Sequence, residues 1–246
     1  MRVAINVTYD GTNYNGWQIQ PDKNTIQGTL KDALSSLLKC PITIIGSGRT
    51  DAGVHAKGQV AHFDYEGSFP IERLPLAVNT LLPNDIRVNS ASVANDDFHA
   101  QHSTKKKTYA YSFYLSKIGN PLIDRYSAQV PYQENLFDIE KAKTALSHLV
   151  GTHDFRAFCS SGSTVTDFVR TIYSATIEKE NERFTLKVCG NGFLYNMVRI
   201  IAGTIVDIGL GRREVSAIEN AIQSGERTLL SKTYPACGLT LYSVEY

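Results

Sequence analysis

An α+β fold is what this sequence predicts: two α/β lobes, each a mainly antiparallel sheet with helices on one side, facing a basic cleft. Three observations carry that expectation. Strand-like alternation and helix-like spacing interleave through the first half, and the second half reuses the same vocabulary. The 246 residues, at 42% hydrophobic, can also bury two cores.

In the first half, Val3, Ile5, Val7 and Tyr9 alternate as a strand with one buried face. Ile26, Leu30, Leu34, Leu37 and Leu38 then recur at helical spacing behind Thr25, whose hydroxyl suits an N-cap. Ala61, Phe63 and Tyr65 alternate again, a short helix is expected over 71–82, and 86–93 reads as another strand. In the second half the patterns give a strand over 108–115, a helix over 136–150 closed by Gly151, and strands over 169–177 and 184–188. The apolar-rich stretch 194–208 predicts a largely buried helix, 215–223 a further one, and 239–246 a closing strand. No low-complexity linker divides the halves, and the boundary falls near Ser103, giving lobes over 1–103 and 104–246.

Composition narrows the classes of function. The four cysteines (Cys40, Cys159, Cys189 and Cys237) are far apart and form no CxxC pair, which argues against a structural zinc site or a disulfide framework and fits a reducing cytoplasm. The alternating start lacks the charged and apolar regions of a signal peptide, and no apolar run approaches the ~20 residues of a membrane helix. Net charge is +1, so a polyanionic partner needs a local basic surface. One lies between Phe98 and Tyr126, where Lys105, Lys106, Lys107, Lys117 and Arg125 face a single anion, Asp124, and Tyr109, Tyr111, Phe113 and Tyr114 interleave them. Cations for phosphates beside rings for base stacking suit an RNA groove. The same pattern also describes an ordinary strand with a packed aromatic face and solvated lysines.

The most informative stretch is Gly46-Ser47-Gly48-Arg49-Thr50-Asp51-Ala52-Gly53-Val54-His55-Ala56. Small residues let backbone approach a ligand and expose the acid, and an arginine two residues away can hold Asp51 ionised as a nucleophile or general base. Alternatively, Asp51 caps a helix or bonds its own backbone in a turn. The glycines match neither GxGxxG nor a Walker loop, so nucleotide hydrolysis has no support. His55 and His62 near Asp51 and Asp64 lack a zinc spacing, and nothing else supports a thiol nucleophile at Cys159 near His153.

With Tyr9-Asp10-Gly11-Thr12-Asn13-Tyr14-Asn15-Gly16-Trp17-Gln18-Ile19-Gln20, Gly48 to Ala56, Phe98-His99-Ala100 leading to Tyr109-Ala110-Tyr111, Gly192 to Arg199, and Pro235-Ala236-Cys237-Gly238-Leu239, the chain resembles the tRNA pseudouridine synthase A family nearly end to end. The resemblance implies the pseudouridine synthase fold, with RRM-like or ferredoxin-like lobes. It implies Asp51 as the nucleophilic aspartate, Arg199 as its pairing partner and Tyr109 against the target base, with Leu194, Lys105, Lys106 and Lys107 on the substrate side. Arg49 is a helper for base extrusion by its chemistry alone. The implied substrate is the anticodon stem-loop of tRNA, at positions 38, 39 and 40, and the implied assembly is a homodimer. Whether Asp51 attacks sugar or base, or removes a proton, stays open. Isomerisation needs no redox step or group donor, so neither a cofactor nor a metal is implied.

Two departures bear on tRNA affinity or target choice: Gln101 stands where the family usually has arginine, and Lys105-Lys106-Lys107 where arginines are common. The rival readings are a catalytically silent RNA-binding or RNA-chaperone protein of the same fold and a carboxylate-based hydrolase of another ligand.

Overall fold

The computed structural model describes residues 1–246, and the predicted alternation is realised at once. Arg2–Tyr9 (β1) buries every second side chain, namely Val3, Ile5, Val7 and Tyr9. The Thr25 side chain accepts the Gly28 N–H at 3.3 Å and so caps Ile26–Leu38 (α1), whose buried stripe is Ile26, Leu30, Ala33, Leu34 and Leu38. Ile45–Gly46 (β2), His55–Asp64 (β3) and Ile86–Ala94 (β4) follow, β3 starting earlier than the alternation at Ala61 suggests. The helix expected over 71–82 is shorter: a 3-10 turn at Ile71–Arg73 leads into Leu74–Val78 (α2), with Pro75 in its first turn.

Residues Met1–Lys105 and Thr240–Tyr246 form one compact unit, and Lys106–Leu239 form another. In the first, β1 pairs antiparallel with both β3 and β4, and β2 pairs antiparallel with β3. The closing strand Leu239–Glu245 runs parallel to β3, Thr240 opposite His55 and Leu241 opposite Ala56. That pairing is why residues 240–246 group with the first unit.

The second unit opens with Lys106–Leu115 (β5) and Ala128–Val130 (β6), which pair in parallel. Ile139–Ser147 (α3), Gly151–Asp154 (β7), Val169–Glu180 (β8) and Arg183–Gly190 (β9) follow, then Met197–Gly209 (α4) and Ala217–Ser224 (α5). Strand β9 pairs antiparallel with β5 and β8, and β8 with β7, so strand pairing is mostly antiparallel within this unit as within the first. Helix α3 is shorter than 136–150 because the Asp138 carboxylate accepts the N–H groups of Glu140 and Lys141, fixing its start, and Gly151, at φ +121°, opens β7 instead. Helix α4 begins after Asn196, whose left-handed φ of +61° ends the preceding turn. Eleven of its thirteen residues are buried, so it faces core on nearly every side. Rings fill that core: Phe113 and Phe184 stack at 5.1 Å, and Phe137 packs on both. A Cβ at Gly209 would lie 2.2 Å from the Phe137 ring, so glycine is what admits that ring against α4. No helix is long and apolar enough to cross a membrane.

In the first unit two imidazoles fasten the segment after Phe98. His62, buried, accepts the Ala100 N–H on Nδ1 at 3.1 Å, and His99 Nδ1 accepts the N–H groups of Gln101 and His102, both at 3.2 Å. An accepting ring nitrogen carries no proton, so this geometry requires both rings neutral. Burial lowers the pKa of both, followed for His62 by the Arg2 charge and for His99 by His102. The unfolded chain, with imidazoles titrating at about 6.5, therefore binds more protons than the folded one in acid. This contribution to stability is complete above the unfolded value and is lost as pH falls through it towards the depressed folded values. Urea midpoints are expected to be lower at about pH 5.5 than at about pH 7.5, with a narrower gap in His62→Asn. Equal gaps in the two proteins would contradict the assignment.

Candidate active site

Asp51 lies in the turn that leads from β2 into β3. Its carbonyl accepts the Val54 N–H at 3.1 Å, and Gly53 takes φ +76° within that turn. A strand follows, with no helix there for Asp51 to cap. Asp51 is half-buried and Arg49 exposed.

The turn is held from two sides. Gln59, fully buried on β3, accepts from the Ser47 hydroxyl at 2.7 Å through Oε1 and donates to the Gly48 carbonyl at 3.0 Å through Nε2. The Ser47 N–H reaches the Val60 carbonyl at 2.7 Å. From the other side comes the segment after β1: the Trp17 N–H donates to the Thr50 carbonyl at 3.0 Å, and the Tyr9 hydroxyl lies 2.8 Å from the Thr50 hydroxyl. Burial pushes the Tyr9 phenol up to about 12, so it stays protonated at neutral pH. Gly16 has φ +85°, and a Cβ there would stand 2.5 Å from the Thr50 carbonyl oxygen and 3.1 Å from the Asp51 carbonyl carbon. At Gly11 a Cβ would come within 2.0 Å of the Val54 carbonyl oxygen. Backbone thus packs on backbone around a partly exposed carboxylate, which fixes an acid for nucleophilic or basic work better than a free loop could. His55, just beyond the turn, accepts the Gly11 N–H on Nδ1 at 3.1 Å and braces the same segment. No three His, Cys, Asp or Glu side chains are grouped to hold a metal ion.

The second unit carries the other candidates. Tyr109 is buried on β5, its ring edge-on to Phe193 at 5.1 Å. Leu194 is buried, and its carbonyl accepts the Met197 N–H that starts α4. Arg199, on the first turn of α4, donates through Nε to the Tyr234 carbonyl at 2.7 Å and through Nη1 to Asn196 Oδ1 at 2.8 Å. Asn196 in turn donates to the Ser160 hydroxyl at 3.0 Å, so the guanidinium is oriented by a chain of partners. The lysine run divides: Lys105 belongs to the first unit, Lys106 is exposed with its Nζ 5.5 Å from the centre of the Tyr173 ring, and Lys107 is half-buried. Gln101 is exposed on the first unit.

Within the first unit the structure therefore gathers Asp51 and its supports; within the second it brings Tyr109 against Phe193, beside Leu194 in the chain, and orients Arg199 at the start of α4. The supports Gln59, Gly16, Asn196 and Tyr234 escape the sequence reading because each is defined by a tertiary neighbour. Gly16 and Asn196 carry a faint signal, as residue types that tolerate positive φ.

A family model described as tRNA pseudouridine synthase matches residues 5–103 and 145–246. The segment carrying Tyr109 and the lysine run falls between these two matches. A protein of Caldicellulosiruptor saccharolyticus called tRNA pseudouridine synthase A is 43% identical over 244 residues, covering 99% of both chains. Relatives of that name from Latilactobacillus sakei and Bacillus subtilis are 45% and 43% identical, spanning all of this chain and 98% and 99% of theirs.

Replacing Gln59 by leucine leaves the Ser47 hydroxyl and the Gly48 carbonyl without this partner. Urea denaturation of Gln59→Leu is expected to show a loss of about 1–3 kcal/mol. An unchanged midpoint would contradict a supporting role for Gln59.

Proposed function

The chain belongs to the tRNA pseudouridine synthase family, and on that premise we propose that it isomerises uridine to pseudouridine in the anticodon stem-loop of tRNA, at positions 38, 39 and 40. The observation that carries the proposal is the Asp51 turn, a single partly exposed carboxylate held by backbone contacts from Gly16 and Trp17 and by Gln59.

The reaction breaks the bond from ribose to the uracil nitrogen, turns the ring, rejoins it through carbon and releases the proton from that carbon, while the freed nitrogen takes up one proton. Reactants and products have the same atoms, so a carboxylate that forms and releases one covalent bond suffices. In this reading Asp51 is the nucleophile. Arg199, oriented by Tyr234 and Asn196, keeps the aspartate charged, and Tyr109 holds the freed ring. Arg49, exposed beside Asp51, helps replace the stacking that an extruded base loses. Leu194 lines the substrate side, and Lys105, Lys106 and Lys107 meet the RNA backbone. Gln101, lacking the charge usual at its position, tunes tRNA affinity. We further assign a cytoplasmic location, supported by four free thiols, and a homodimer, supported by the family resemblance.

The test uses tRNA transcripts tritiated at uridine carbon 5. Tritium release by the native protein and none above background by Asp51→Asn is the expected result. Saturable tRNA binding without release by the native protein would support a silent RNA-binding protein instead. Equal release by both proteins would remove Asp51 from the chemistry.

A further inference from the structure

Lys107 is set apart from the lysines beside it by burial, and the role assigned to it rests on the isomerase reading above. Side chains alternate along β5, so Lys107 shares the face of Tyr109, Tyr111 and Phe113, whereas Lys106 takes the other face and is exposed. Opposite Lys107 on β9 stands Gly190, which contributes no side chain, and next in the same row comes Ile172 on β8, buried. Phe193 closes this strip, its ring 3.4 Å from where a Gly190 Cβ would sit and edge-on to Tyr109. The four-carbon stem of Lys107 thus runs beside an apolar strip that ends at the ring assigned to the base.

We propose that Lys107 binds the phosphate of the target nucleotide, its ammonium fixing the RNA backbone while Tyr109 receives the base. Two residues along a strand span about 7 Å, a distance of the same order as that from a base to its own phosphate. The exposed Lys105 and Lys106 instead meet phosphate as solvated charges, with little geometric demand.

Burial lowers the Lys107 pKa to about 8. Of the charged and titratable side chains on the strand ends, Tyr109 on β5 and Arg170 on β8 share its face, whereas Lys106, Cys189 and Tyr173 lie on the other. The phosphate stays anionic throughout, so affinity for tRNA is full where Lys107 is protonated and falls as pH rises through its pKa. Arginine at this position stays charged over that range.

The experiment measures binding of a tRNA transcript in the Asp51→Asn background, which does not turn over, and KM and kcat by tritium release with Asp51 intact. Each is measured with Lys107, Lys107→Arg and Lys107→Met from about pH 7 to about pH 9.5, and circular dichroism verifies folding. With Lys107 present, affinity should fall about tenfold or more across the range. Lys107→Arg should hold its affinity throughout, and Lys107→Met should bind weakly at every pH, its loss falling on KM. An undiminished pH dependence in Lys107→Arg, native affinity in a folded Lys107→Met, or a loss confined to kcat would each overturn the phosphate role. Tritium release by the native protein keeps failure here apart from failure of the isomerase reading.

Discussion

Backbone packed directly on backbone, at Gly16 against Thr50 and at Gly11 against Val54, is the constraint on which the Asp51 turn depends. A loop of small residues can expose a carboxylate, but small residues offer few side-chain contacts to hold it still. Here the stiffness comes from outside the loop. The segment after β1 approaches so closely that any Cβ at Gly11 or Gly16 would collide with carbonyl oxygens, and the buried Gln59 amide ties the loop to β3. The glycines are therefore needed twice over, in the loop for access and in its neighbour for support.

Arg199 is held by a different device. Its guanidinium is directed by the Asn196 side-chain amide at the start of α4 and by the Tyr234 backbone carbonyl from the segment ahead of the closing strand. Because Asn196 sits in the left-handed region, the chain turns sharply there and can present its side chain to a residue one helical turn on. A long flexible cation is thereby held in one orientation by its own chain.

Much of this was legible in the residues. The strand from Val3 to Tyr9 and the helix behind Thr25 follow from strong periodicity and a capping hydroxyl, and the Asp51 loop announces itself by composition. The rest depends on relations that a single sequence does not display. The pairs of β2, β6 and β7 are too short to show alternation, and α4 starts late because of the turn at Asn196, where periodicity alone ran on from Leu194. The contrast between Lys106 and Lys107 appears only once strand register decides which lysine faces the core. Read as charge, the two are equal; read as geometry, one is a solvated cation and the other a group with a fixed address.

Residues 240–246 complete the sheet that begins with β1, although the whole of 106–239 lies between them and the rest of that unit. On the ribosome, at roughly 5–20 residues per second, β3 waits roughly ten to thirty-five seconds for its parallel neighbour while the second unit is made. Until then the part of β3 at His55 and Ala56, just past the Asp51 turn, lacks its parallel neighbour. The unit bearing Asp51 is thus started before the other and finished after it, so its completion is timed by emergence of the strand that follows the Arg199 unit.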